Sequence, residues 1–158
     1  MITAGTHGKQ HLLETSEKRD RLLALLFETL EKHALDPEAW AILNNHYHLV
    51  ARSSDSPETF RAFVQEFHSR SAKLLNQLDR TPGRRVWFQY WDTRITQRDT
   101  YLARLAYVHG NAVHHGLATR AEDYPWSSAS WFVRTAPRSF VDEVVRFRLD
   151  GVQGYDDF

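Results

Sequence analysis

Hydrophobic and polar positions along this chain follow two periods, one near two and one near 3.6, and the switches between them mark its elements. Ile2 to Thr6 reads as a short opening strand, closed by a polar turn around His7, Gly8 and Lys9. Leu22, Leu23, Leu26 and Leu30 recur at helical spacing, which predicts a helix capped by Thr15 or Ser16 and running to about His33. Ala34 to Pro37 reads as a connector, and Glu38 to Ala51 as one buried strand, broken or bulged near Asn44 and Asn45. Ser56 is placed to cap a second helix with Pro57 at its first position. Phe60, Phe63, Val64, Phe67, Leu74, Leu75 and Leu78 give that helix one apolar face, with His68, Arg61 and Arg70 expected on the solvated side. Thr81, Pro82 and Gly83 signal a turn, and Val86 to Ile95 is the strongest β segment by its aromatic content. Asp99 caps a third expected helix carrying Leu102 and Leu105 to about Val113, with Gly116 just past its end. A helical turn from Ser127 to Trp131 and a helix over about Phe140 to Phe147 complete the pattern. Strands alternating with helices in this order predict an α+β fold with helices on one sheet face.

Composition narrows the picture. A chain of 158 residues is expected to form one domain over 1–150, with 151–158 as a short polar tail. Twenty Lys and Arg balance 20 Asp and Glu, so any anion-binding surface must be local. With no cysteine, disulfides and thiolate metal sites are excluded. No signal pattern or membrane-length apolar run stands out, which makes a cytoplasmic location the expectation and a membrane partner unexpected.

The candidate chemistry begins inside the buried strand. Side chains alternate faces along a strand, so His46 and His48 share a side while Tyr47 and Leu49 take the other. Two imidazoles on one rigid element make half of a metal site; the plainer account is a hydrogen-bonded pair at a sheet surface. On the third helix, Leu102, Leu105, Ala106 and Val113 fall in one half of the wheel, and Arg104, Tyr107 and Asn111 in the other. Tyr107 and Asn111 are four apart and therefore neighbours on one surface. Two imidazoles and an amide oxygen could hold a divalent cation, with sites left for phosphate oxygens and a tyrosine nucleophile beside it. A free phenol has a pKa near ~10, so it needs activation to attack at neutral pH.

These pieces, in this order, resemble the single-tyrosine HUH transposases, in particular the branch associated with repetitive extragenic palindromes. His46-Tyr47-His48 is similar to the family's His-hydrophobic-His pattern, here preceded by Asn44 and Asn45 where Pro-Asn is frequent. Trp87 to Asp92 is similar to its Trp-Gln-containing strand. Tyr107 to Leu117 resembles its Tyr-Ile-x-x-Asn-Pro-Val-x-x-Gly-Leu block, with Ala112 in place of the proline. Glu122 to Ser128 resembles its Trp-Ser-Ser block, so the likeness covers the chain to about Trp131. The resemblance implies a ferredoxin-like antiparallel sheet with both histidines on a central strand. It implies a metal-dependent single-stranded DNA endonuclease and strand transferase, with Tyr107 forming a covalent 5′-phosphotyrosine. His46, His48 and Asn111 would hold Mg²⁺ or Mn²⁺. Single-stranded or hairpin DNA is the implied partner, with a homodimer left open.

For DNA contacts, the best local basic and aromatic cluster is Arg80, Arg84, Arg85, Trp87, Gln89, Trp91 and Arg94, with Arg104 beside Tyr107 and Lys9 and His11 on the first turn. Strand alternation would put Trp87, Gln89 and Trp91 on one face and Phe88 and Tyr90 on the other, one set forming core. His109, His114 and His115 read as solvated surface histidines, His114 within reach of a phosphate. Two further readings share these features: a domesticated relative that holds hairpin DNA without cutting it, and a hydrolase using metal-bound water with Tyr107 structural.

Overall fold

The computed structural model describes residues 1–53 and 57–147. Four strands form the sheet: β1 (Ile2–Thr6), β2 (Leu35–Ile42), β3 (His46–Ser53) and β4 (Trp87–Asp92). Their spatial order is β2-β3-β1-β4, and every neighbouring pair is antiparallel. Helix α1 (Ser16–Lys32) joins β1 to β2, and α2 (Pro57–Leu78) joins β3 to β4. This β-α-β-β-α-β order is ferredoxin-like, as the resemblance implied. Helices α3 (Arg98–His114), α4 (Ala129–Thr135) and α5 (Arg138–Arg146) follow.

Helices cover both faces of the sheet, not one. Tyr47 and Leu49 of β3, Trp40 and Ile42 of β2, and Ile2 and Ala4 of β1 pack with Leu22, Leu26 and Leu30 of α1 and Phe63 and Phe67 of α2. On the opposite face, Ala39 and Ala41 of β2 and Val50 of β3 pack with Leu102, Leu105 and Val108 of α3. Phe132, Val141 and Val144 from α4 and α5 close over the far side of α3. Helix α3 is thus buried on two sides.

Glu38 to Ala51 is a hairpin and not one strand. The connector expected at Ala34 to Pro37 already belongs to β2 from Leu35 on, and β2 and β3 are joined by the turn at residues 43–45. Asn44 and Asn45 mark that turn. The Asn45 carbonyl accepts from the Thr6 N–H at 2.8 Å, and the Asn44 carbonyl from the Leu13 N–H at 2.8 Å, so neighbouring backbone pins the turn in place. The outer edge of β2 is covered by residues 126–128. The Ile42 N–H donates to the Trp126 carbonyl at 3.0 Å, the Ser128 N–H to the Trp40 carbonyl at 2.9 Å, and the Trp40 N–H to Ser128 Oγ at 2.9 Å.

The second helix starts at Pro57 as expected, while its proposed cap Ser56 and the tail 151–158 lie outside the described residues. His68, expected on a solvated face, is largely buried: its ring stacks on Trp87 at 4.9 Å and its Nε2 meets the Tyr47 hydroxyl at 3.0 Å. Val113, expected on the core side of α3, is exposed. Gly116 ends α3 with φ 67°, the left-handed conformation that glycine adopts without strain. Among the described residues no helix is long and apolar enough to cross a membrane.

Candidate active site

His46 and His48 lie on β3, the second strand in from the β2 edge, and both are fully buried beneath α3. Strand alternation makes their rings neighbours, with centroids 4.9 Å apart. Each ring is oriented through its Nδ1. His46 Nδ1 is 2.8 Å from Asn45 Oδ1, an acceptor, so Nδ1 carries the proton and Nε2 keeps its lone pair. His48 Nδ1 is 2.9 Å from Thr3 Oγ1, which β1 presents directly opposite because Thr3 and His48 are paired in the ladder.

Helix α3 supplies the other wall. The Tyr107 ring lies edge-on to His48 at 5.2 Å, and the Asn111 amide reaches His46, where its hydrogen bond favours the charged imidazole. Tyr107 and Asn111, which the helical wheel set together on one side of α3, both reach the histidine strand. Among the described residues the Tyr107 hydroxyl is buried with no hydrogen-bond partner. Burial is the main force on the histidines. It pushes His46 down to about 3, helped by His115, and holds His48 well below the usual imidazole range, with His46, His115 and Arg104 adding to the effect. Both are neutral at physiological pH, the form that binds metals.

A third imidazole was missed. His115, expected at a solvated surface, stands with its ring 4.9 Å from His46. The signal was available in the sequence: Tyr107, Asn111 and His115 continue the same four-residue step. His109 is also buried, on the far side of α3, stacked on Phe132 at 4.6 Å and pushed down to about 4 by desolvation. Among the described residues no three His, Cys, Asp or Glu side chains gather into a metal-binding group. The donor set on offer is two imidazoles and an amide.

The residues expected to contact DNA are not one cluster. Arg84 is tied down by Asp79 at 2.7 Å and Asn76 at 3.1 Å. Trp87 is core, its indole N–H donating to Ser71 Oγ at 2.9 Å. The expected alternation along β4 fails because the strand carries an extra residue: Thr6 pairs with Trp87 and Ala4 with Tyr90, so Phe88 and Gln89 together oppose Gly5. Trp87 and Tyr90 both face α2, while Trp91 lies opposite Thr3 on the histidine side. Lys9, Arg85, Phe88 and Gln89 are exposed, with the Arg85 guanidinium 5.6 Å from the Phe88 ring centre. Arg94 lines a cavity of about 540 Å³ at the other end of the strands, together with Met1, Arg52 and Tyr101. Arg104 stays half-buried close to His48.

Fold and site together define an α+β domain with a histidine pair on an inner strand faced by a helical tyrosine and asparagine. That fold is similar to the solved structure of a REP-associated tyrosine transposase bound to a REP hairpin, with a TM-score of 0.62 and 18% sequence identity over 99% of this chain and 86% of that one. No family model matches the chain, and no curated protein matches it in sequence.

Proposed function

We propose that this chain is a transposase-like enzyme that cuts and rejoins single-stranded DNA, acting on hairpin substrates through a covalent tyrosine intermediate. One observation carries the reading: β3 and α3 bring His46, His48, Tyr107 and Asn111 to a single buried point. The fold likeness to a transposase bound to a hairpin supports the substrate class.

Tyr107 Oη is the nucleophile. It gives up its proton, bonds to the scissile phosphorus, and the phosphorus–O3′ bond breaks. The departing 3′ oxygen takes a proton to leave as a hydroxyl, and the 5′ phosphate stays on Tyr107. In the second step a different 3′ hydroxyl attacks that phosphorus and displaces the phenol, which is reprotonated. His46, His48 and Asn111 would hold Mg²⁺ or Mn²⁺. The fit rests on the chemistry of the donors that β3 and α3 bring together, two imidazoles and an amide, and on burial that keeps both rings neutral. When bound, the ion supplies Lewis-acid stabilisation of charge on the phosphate oxygens. Asn45 and Thr3 orient the two rings, and the surrounding burial excludes water that would compete with the phenol.

The test is a labelled DNA hairpin with single-stranded flanks incubated with the protein and Mn²⁺, then run on a denaturing gel. The expected result is label migrating with protein, lost in Tyr107→Phe. A shift without cleavage would identify a hairpin-holding protein instead, and free 5′-phosphate products with no adduct would identify a metal-water hydrolase.

A further inference from the structure

The bulge in β4 sets an aromatic residue in line with the candidate site. Gly5 pairs with His46 on one side, and on the other it faces the two bulge residues, Phe88 and Gln89. Alternation on either side of the bulge turns both of these toward the histidine face, since Trp87 and Tyr90 point to α2. His46, Gly5 and the Phe88–Gln89 pair therefore form one rank across three strands. At a strand spacing of about 4.8 Å, the bulge lies roughly 10 Å from the histidine strand. The residue between them has no side chain to rise from the sheet.

Helix α3 lies over β2 and β3, and the β4 end of the rank is open: Phe88 keeps 48% of its surface exposed. The surroundings of this exposed phenyl are cationic and aromatic. The Arg85 guanidinium lies 5.6 Å from the ring centre, held by a hydrogen bond from Nε to the Trp87 carbonyl at 3.2 Å. The His7 ring approaches edge-on at 6.2 Å, and the turn bearing His7 and Lys9 is fixed to this strand by the His7 N–H donating to the Val86 carbonyl at 2.7 Å. A flat apolar ring beside Arg85, with Lys9 exposed on the adjoining turn, matches a nucleobase with its phosphates, and the charge argues against an apolar peptide as the occupant.

We infer that Phe88 is a stacking platform for an unpaired base of the DNA strand that enters the site, with Arg85 and Lys9 on the adjoining phosphates. The inference rests on the single-stranded DNA reading above and adds to it a residue that decides where the strand lies. Gly5 keeps the floor clear between that base and the scissile phosphate at His46.

Fluorescence anisotropy tests it, using a fluorescein-labelled DNA hairpin with an oligothymidine flank on its 5′ side, on its 3′ side, or with no flank. Phe88→Ala should weaken binding of a flanked hairpin by about 5- to 150-fold, the range seen when a stacked base loses its aromatic partner. Phe88→Trp should restore it, and binding of the unflanked hairpin should be the same in all three proteins. Undiminished affinity of Phe88→Ala for both flanked hairpins would overturn the assignment while leaving the tyrosine chemistry untouched, as would equal losses on flanked and unflanked DNA. Failure of the unsubstituted protein to bind any of the three would defeat the DNA reading itself, and this inference with it.

Discussion

His68 offers a clean test of how the core is built, because its pH response can be worked out from its surroundings. The ring is stacked on Trp87 and its Nε2 meets the hydroxyl of the fully buried Tyr47, whose pKa burial raises. Desolvation lowers His68 from 6.5 to about 4. In the unfolded chain the same imidazole takes up a proton below about 6.5. Between those two values the unfolded state binds more protons, so stability falls as pH falls, at about 1.4 kcal/mol per pH step. At about pH 5 the loss assigned to His68 is about 2 kcal/mol relative to neutral pH, and it levels off near the folded value. Urea denaturation at about pH 7 and about pH 5 measures it, with Tyr47→Phe/His68→Phe as the comparison. That double variant removes both members of the hydrogen bond, so no buried polar group is orphaned and stability at neutral pH should change little. The unsubstituted protein should lose about 2 kcal/mol more than the double variant over the interval. Equal losses would refute a neutral, desolvated His68, since the remaining buried histidines contribute alike to both proteins.

Three further outcomes follow from other contacts. Ser71→Ala removes the oxygen that accepts the Trp87 indole N–H, leaving a buried donor unsatisfied, and should cost about 1–3 kcal/mol in a denaturant titration. Thr3→Val takes away the partner of His48 Nδ1 and should weaken Mn²⁺ binding about 10- to 100-fold, read by calorimetry, with the fold retained by circular dichroism. Phe67→Ala empties a fully buried site stacked on Phe63 and edge-on to Tyr47 and should destabilise by about 3–5 kcal/mol, seen as a lowered urea midpoint.

The fold was legible where local pattern and packing agree. The leucines of α1, the Pro57 start of α2 and the Gly116 stop of α3 all lie where their spacing or backbone chemistry placed them. The pair His46 and His48 and the wheel position of Tyr107 and Asn111 were equally readable, because two-residue and four-residue steps fix a shared face without any tertiary knowledge. What escaped depended on contacts between distant segments. The hairpin at Asn44 and Asn45 was hidden because the residues on both sides of it, 39–43 and 46–50, are all buried, with no alternation to separate them from one long strand. The facing of Phe88 was inverted by one inserted residue in β4, which reverses the phase of every side chain before it relative to those after it. His68 and His109 look like surface residues in a helix pattern until Trp87 and Phe132 arrive from elsewhere to cover them.

The clasp between residues 126–128 and the rim of β2 has a consequence for what that edge of the sheet can accept. Its hydrogen bonds occupy the main-chain donors and acceptors that a second molecule would need to add a strand there. Beyond the clasp, Pro37 offers no amide hydrogen, so that margin is also a poor template for growth. Of the two outer strands of the sheet, β2 is thereby closed to an added strand along much of its length, and β4, which carries Phe88, is the other.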